Sequence, residues 1–198
     1  MAEDHWQLWL RVRAEWGYSL VRLLHCIVLV SSASLIPGAP KAEPIVLLPV
    51  PEVRQHTPSA CGAAALQAIL AYYGIDVRQD TLIQKLGTNE AEGTRYREIV
   101  RVAQEYGLRP TVVPNMTRAR MIAEISDGIP VLIAAQAWIE SGDPRDIAAW
   151  SARTNDGHYL VAIGYDDDRI YFEDPAMFGV GYIAFASTSM APRGTALG

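Results

Sequence analysis

Apolar residues recur at helical spacing in four stretches. In residues 60–73, Leu66, Ile69, Leu70 and Tyr73 fall at i, i+3, i+4 and i+7, and Gly74 follows as a stop. That pattern predicts a helix with one buried face. Ala63, Ala64 and Ala65 leave room for close packing there. A shorter helix is predicted over 79–86, ended by Gly87. A third spans 95–106, with Thr94 as N-cap, Gly107 as stop, and Ile99, Val100, Val102, Ala103 and Tyr106 as its apolar set. A fourth spans 117–126, capped by Thr117. Between and after them the texture is that of strands, at 109–113, 129–138, 158–165, 169–172 and 180–186. Asp166, Asp167 and Asp168 make the turn between the third and fourth of these. Pro44, Pro49 and Pro51 make 43–54 an extended lead-in holding at most one strand. Residues 143–155 read as a polar loop or a short helix. Helices first and an antiparallel sheet second predict the α+β class, not a βαβ series.

The most apolar run, 23–30, stands apart from this domain. Arg11, Arg13 and Arg22 precede it and small residues follow it. A positive region, a short apolar core and small residues read as a secretory signal. The run is shorter than the ~20 residues of a transmembrane helix. The other reading is an amphipathic or buried N-terminal helix, since Arg22 and His25 interrupt the apolarity. The expected organisation is an N-terminal extension and signal peptide over 1–42, a domain over 43–186 and a small-residue tail over 187–198. The expected location is exported, periplasmic or extracellular, or membrane-associated through an uncleaved N-terminal segment.

Composition narrows the function. The chain has 198 residues, with 17 basic and 22 acidic side chains. With no basic excess to neutralise phosphates, a nucleic-acid partner is not expected. Two cysteines exclude a disulfide-rich scaffold and a multi-thiolate zinc site. Beyond residue 42 only Cys61, His56 and His158 remain of the cysteines and histidines.

Cys61 opens the first predicted helix. Free N–H groups and the positive end of the helix dipole favour a thiolate there, and the thiolate is the nucleophile a cysteine hydrolase needs. Gly62 would let a substrate backbone approach the sulfur. The alternative is a buried structural thiol. His158 begins a strand after Gly157 and is the leading base, or else a satisfied core or surface histidine. Asp174, one hairpin beyond His158, can fix the imidazole tautomer, with Asp156 and Glu173 as rivals, or it belongs to an ordinary Asp-Pro turn. The side-chain N–H₂ of Gln55 can join the Cys61 backbone N–H in an oxyanion hole, or Gln55 is a solvated loop residue. Arg95, Arg97 and Arg101 read as a solvated helix face or a contact for an acidic partner.

The order Gln55, Cys61-Gly62, Gly157-His158-Tyr159 and Glu173-Asp174-Pro175 resembles a known family. So do Ala71-Tyr72-Tyr73-Gly74, Glu92-Gly93-Thr94 and Tyr106-Gly107-Leu108. The resemblance is to the papain-like bacteriocin-processing peptidases, cysteine peptidase family thirty-nine, which cut leader peptides after a double glycine. It covers about residues 53–185. It implies a papain-like cysteine peptidase fold, with Cys61 as nucleophile, His158 as base, Asp174 as orienter and Gln55 as oxyanion donor. It further implies acyl transfer without metal or cofactor and a peptide or protein substrate. Three departures accompany it. No six-fold membrane-spanning pattern and no Gly-x-x-x-x-Gly-Lys-Ser/Thr loop is present, so a separate membrane exporter is the expected partner. Ala60 stands where relatives carry an acidic residue before the cysteine. The tail is small-residue rather than aromatic. The Ala60 departure resembles the stand-alone members of the family. A non-catalytic peptide-binding domain and another thiol hydrolase, such as a cell-wall amidase, are the alternatives on the same fold.

Overall fold

A computed structural model of the chain describes residues 8–14, 44–136 and 157–184. The elements in chain order are β1 (Leu8–Ala14), β2 (Val46–Leu47), α1 (Cys61–Tyr72), α2 (Gln79–Leu86), α3 (Tyr96–Glu105), β3 (Leu108–Pro114), α4 (Arg118–Ser126), β4 (Val131–Gln136), β5 (Gly157–Tyr165), β6 (Arg169–Glu173) and β7 (Val180–Ala184). Each of the four expected helices forms within a residue or two of its predicted span. The strands join one sheet in the order β3-β1-β4-β5-β6-β7, with β2 paired to β5. Every pairing is antiparallel. The α+β class expected from the sequence is the one observed.

α1 is the helix around which the core is built. Leu66, Ile69 and Leu70 are wholly inaccessible, and Ala63, Ala64 and Ala65 are fully buried as well. Such a helix buries more than one face, because the small residues let neighbours close in where a larger side chain would hold them off. α1 packs on β5 and against α2 and α3. Leu82, Ile99, Val102, Ile125, Leu132, Leu160 and Ile163 are among the other buried apolar side chains. Each buried side chain of this size contributes about 1.5–3 kcal/mol of transfer free energy.

α3 is the amphipathic counterpart. Ile99, Val102 and Ala103 face inward. On the outer face Arg101 pairs with Glu98 and Glu105, and Lys85 of α2 reaches Glu105. Arg95 pairs with Glu92, and Arg97 lies over the Tyr96 ring. The arginine cluster is thus a solvated, internally paired face, whose pairs are screened by water.

Two expectations need correction. Thr94 does not cap α3. The residue before the helix is Arg95, without a side-chain cap, and Thr94 is buried with its hydroxyl on that of Thr88 at 2.7 Å. The second concerns β1. Leu8–Ala14, inside the expected N-terminal extension and signal peptide over 1–42, forms a strand that was not expected there, paired over seven residues with β3 and over three with β4. A signal was there to be read. Leu8, Leu10, Val12 and Ala14 alternate with Trp9, Arg11 and Arg13, the period of a strand. The same arginines also fit the positive flank of a signal peptide, which is why charge alone does not reveal the strand. The apolar run 23–30, the loop 143–155 and the tail 187–198 lie outside the described residues. Among the described residues no helix is long and apolar enough to cross a membrane.

β5 carries the one irregularity that matters for the site. Ala162 lies opposite Phe172 and Gly164 opposite Tyr171, so Ile163 is an extra residue on β5, a β-bulge. At the bulge β2 crosses closely. A Cβ on Gly164 would sit 2.6 Å from the Val46 carbonyl oxygen and 3.2 Å from the Leu47 Cα, both backbone atoms that cannot swing aside. Gly164→Ala is therefore expected to lower stability by about 1–3 kcal/mol, as overpacking does. Urea unfolding measures the loss, and faster amide exchange at Leu48, which bonds the Ile163 carbonyl, locates it at the β2–β5 contact.

Candidate active site

Cys61 is the first residue of α1 and is buried. The preceding residue, Ala60, offers no side-chain cap, and the first turn holds no acidic residue. A Ser, Asp or Asn cap would add about 1 kcal/mol. Its absence leaves the first-turn N–H groups and the positive end of the helix dipole facing the sulfur and whatever approaches it. Gly62 is explained differently from the sequence expectation. A Cβ there would lie 2.6 Å from Thr94 Cβ, so the glycine admits the Thr94 side chain against α1, not a substrate backbone. Thr94 is itself fixed by its bond to Thr88 and by the Tyr159 hydroxyl, which donates to the Thr94 carbonyl at 3.0 Å.

His158 is the second residue of β5 and is buried. Its Nε2 lies 2.7 Å from Asp174 Oδ1, and its side chain also hydrogen-bonds Cys61. Asp174 takes Nε2, which leaves Nδ1 for the sulfur. Burial disfavours the charged ring, but the bonds and negative charge of Asp174 and Cys61 outweigh it and hold His158 up at about 9. Asp174 is buried too, and its Oδ1 also accepts the Ala176 N–H at 2.8 Å. The Met177 N–H closes the turn on the Asp174 carbonyl at 3.1 Å. The Asp-Pro turn and the orienting contact are thus one feature, not alternatives.

The bulge decides which acid reaches His158. Opposite residues of an antiparallel pair share a face, and Glu173 lies opposite Val161. Asp174 therefore falls on the face of Leu160 and His158. Without the extra residue Glu173 would lie opposite Ala162, on that same face. Glu173 instead accepts the Val53 N–H at 2.9 Å, and burial, followed by the charges of Glu52 and Asp174, pushes its carboxyl up to about 7 against the Val53 bond and Arg54. The other rival, Asp156, lies outside the described residues.

Gln55 is on the loop leading to α1. Its backbone N–H donates to the Pro175 carbonyl at 3.0 Å, tying the loop to the turn that holds Asp174. Its side-chain Nε2 donates to the Thr57 and Pro58 carbonyls at 3.0 and 3.1 Å. Its Oε1 is buried with no hydrogen-bond partner among the described residues. The structure thus brings Cys61, His158 and Asp174 into direct contact and places Gln55 beside them, with its amide hydrogens on the local backbone. One residue that sequence reasoning missed is Gln79, buried at the start of α2 with its amide on the backbone either side of Gln55. Its signal was weak: a glutamine opening a helix reads as exposed. Among the described residues no cluster of side chains fits a metal ion.

A helix-borne cysteine against a strand-borne histidine–aspartate pair, with helices packed on an antiparallel sheet, is the arrangement of a papain-like cysteine peptidase fold. The model of the Peptidase_C39 like family matches residues 47–188, and the chain belongs to that family. Among solved structures, the chain is similar to a putative C39-like peptidase from Bacillus anthracis at 17% identity and TM-score 0.52, covering 72% of this chain and 88% of that one. It is similar at 20% identity and TM-score 0.52 to the peptidase domain of Streptococcus ComA, a bi-functional ABC transporter involved in a quorum-sensing pathway, covering 67% and 84%. No curated protein matches the sequence significantly.

The titrations have definite signs. His158 is raised from its ordinary 6.5, so its contribution to stability is complete below about 6.5 and is lost as pH rises through about 9. Wild-type protein is expected to lose stability relative to His158→Gln over that window, in urea unfolding at fixed salt. Glu173 gives the opposite comparison. A carboxyl raised from 4.5 to about 7 makes the folded state hold its proton longer, so it costs stability as pH climbs through that interval. Glu173→Gln keeps the acceptor for Val53 and removes the charge. It should match wild type near pH 4.5 and exceed it above pH 7; equal stability at both pH values contradicts this.

Proposed function

We propose that the chain is a cysteine peptidase that cleaves a leader or other small peptide by thiolate acyl transfer. The observation that carries this reading is the buried 2.7 Å contact between His158 Nε2 and Asp174, with the same ring bonded to Cys61 at an uncapped helix start. Family membership supports a peptidase, and the sequence resemblance supports a small-residue cleavage site.

The geometry supports the following roles. Cys61 sulfur attacks the scissile carbonyl carbon, and the developing oxyanion meets the Cys61 backbone N–H and the Gln55 amide. To serve, Gln55 must turn one Nε2 hydrogen away from the Pro58 or Thr57 carbonyl. His158, charged at neutral pH, gives its proton to the leaving amine as the C–N bond breaks, and a thioester remains. Water then attacks the thioester while His158 takes its proton, and the sulfur leaves as thiolate. Asp174 keeps the ring oriented through both steps and stabilises its charged form. No step requires a metal or cofactor. The proposed site of action is outside the cytoplasm, on a peptide delivered by a separate exporter.

The second reading is a peptide-binding domain without turnover. It is favoured by the engagement of both Gln55 amide hydrogens with backbone carbonyls.

A panel of peptides ending in Gly-Gly, with and without a reporter beyond the second glycine, separates the two. Cleavage by wild type that falls to background in Cys61→Ala, with an unchanged circular dichroism spectrum, is the expected result. Saturable binding equal in both proteins, with no product at long times, decides for the binding domain. A preference for peptidoglycan fragments over peptides decides for a cell-wall amidase. Independently of substrate, iodoacetamide alkylation of Cys61 at pH 7 should slow roughly tenfold or more in His158→Ala, because the sulfur loses the charged imidazole beside it.

A further inference from the structure

We propose that Gln79 is a positioning residue for Gln55, holding in place the loop from which Gln55 serves the oxyanion. The inference deepens the peptidase reading and rests on it for the word oxyanion. Residues 51–55 have no regular secondary structure, yet the backbone around Gln55 is tied down on two sides. On the sheet side, the Val53 N–H bonds Glu173 and the Gln55 N–H bonds the Pro175 carbonyl. On the helix side, one side-chain amide does all the work. Gln79 Oε1 accepts the His56 N–H at 2.7 Å, and Gln79 Nε2 donates to the Arg54 carbonyl at 2.9 Å.

In extended chain the carbonyl of one residue and the N–H two residues on point the same way, opposite to the N–H between them. Gln79 therefore stands in for the peptide group of a neighbouring strand, while Pro175 takes the opposite side. The clamp closes on the two residues flanking Gln55. Its orientation is fixed by a further bond. Gln79 Nε2 also donates to Gln67 Oε1 at 3.0 Å, and Gln67 Nε2 donates to the Val77 carbonyl at 2.9 Å. A flipped Gln79 amide would set two oxygens against each other at Gln67 and at Arg54. Gln79 is 2% exposed, so water cannot replace these bonds without opening the loop.

A double-mutant cycle tests this in the full chain. The variants are Gln79→Ala, Gln55→Ala and the pair. Thr117→Ala, which removes the α4 cap contact to the Arg120 N–H, is a destabilising control remote from the site. The probe is an acetyl-Gly-Gly coumarylamide. Removing one oxyanion donor costs on the order of 10²-fold in kcat, so Gln55→Ala should fall by about that factor. Gln79→Ala should lower kcat at least roughly tenfold, with KM and the rate of Cys61 alkylation changed less than about twofold. The double variant should be no slower than Gln55→Ala, because residues acting through one group are not additive. Multiplying losses, a matching loss of kcat in Thr117→Ala, or a fall in Cys61 alkylation would each overturn the proposal. If Gln79→Ala does not fold, Gln79→Glu replaces it, since it keeps the acceptor for His56 and loses both donors. If wild type cleaves no acyl probe, the peptidase reading fails and amide exchange decides the rest. Exchange at Gln55 and His56 at least tenfold faster in the Gln79 variant, with α1 unchanged, supports positioning. Unchanged exchange overturns it.

Discussion

The pairing of β5 with β6 governs the chemistry of the site, because antiparallel register determines which side chains share a face, and a slip of one residue exchanges the faces. Beyond the turn at Asp166–Asp168, Tyr165 faces Ile170 and Gly164 faces Tyr171, and then Ile163 has no opposite number. From there on the register is shifted. The shift turns Glu173 toward the Val53 N–H and brings Asp174 to Nε2 of His158. Beside the bulge, at Gly164, only a hydrogen fits against β2. One extra residue in β5 thus decides which of two adjacent carboxyls meets the histidine.

The same economy appears at the start of α1. The helix must begin at the sulfur, with its first N–H groups free, so neither Ala60 nor the first turn supplies a cap or an acid. Stability lost there is offset by packing further along, where Leu66, Ile69 and Leu70 have no access to water. Thr94 presses on Gly62 and is held from the sheet side by Tyr159, the neighbour of His158. Burial, and next to it the negative charge of Cys61, pushes the Tyr159 phenol up, so its hydroxyl stays a neutral donor to the Thr94 carbonyl. Consecutive residues of β5 therefore reach the start of α1 by two routes. One is chemical, through His158 and Cys61. The other is mechanical, through Tyr159, Thr94 and Gly62.

Much of this was legible in the sequence. The four helices announced themselves through apolar spacing and through Gly74, Gly87 and Gly107, all of which adopt positive φ. The hairpin at Asp166–Asp168 was legible because Asp166 does what turn aspartates do, accepting the Asp168 N–H at 2.7 Å. Cys61, His158 and Asp174 were legible as candidates by type and order. Their contact was not, because the bulge leaves no mark in residue types: Ile163 looks like any strand isoleucine. Counting back from the turn without it would have chosen Glu173. β1 was missed because arginines in an alternating strand and arginines before an apolar run look alike when only charge is weighed. Thr94 was misplaced for a related reason. A threonine before a helical pattern is ordinarily a cap, and here the glycine that displaces it from that role lies 32 positions earlier, at Gly62.

What the sequence hid most completely is the support of the loop bearing Gln55. Its backbone is satisfied by Glu173 at the end of β6, Pro175 in the turn after it, and Gln79 of α2, far from both in the chain. None of these contacts has a local pattern, since each is a side chain or carbonyl completing a ladder that the loop itself does not continue. Buried loop backbone must find such partners or lose the free energy of its unmade bonds, on the order of 1–3 kcal/mol each. The loop can therefore stay irregular and still be placed as firmly as a strand. That placement sets the distance between the Gln55 amide and the start of α1, and with it the room left for a peptide carbonyl at Cys61.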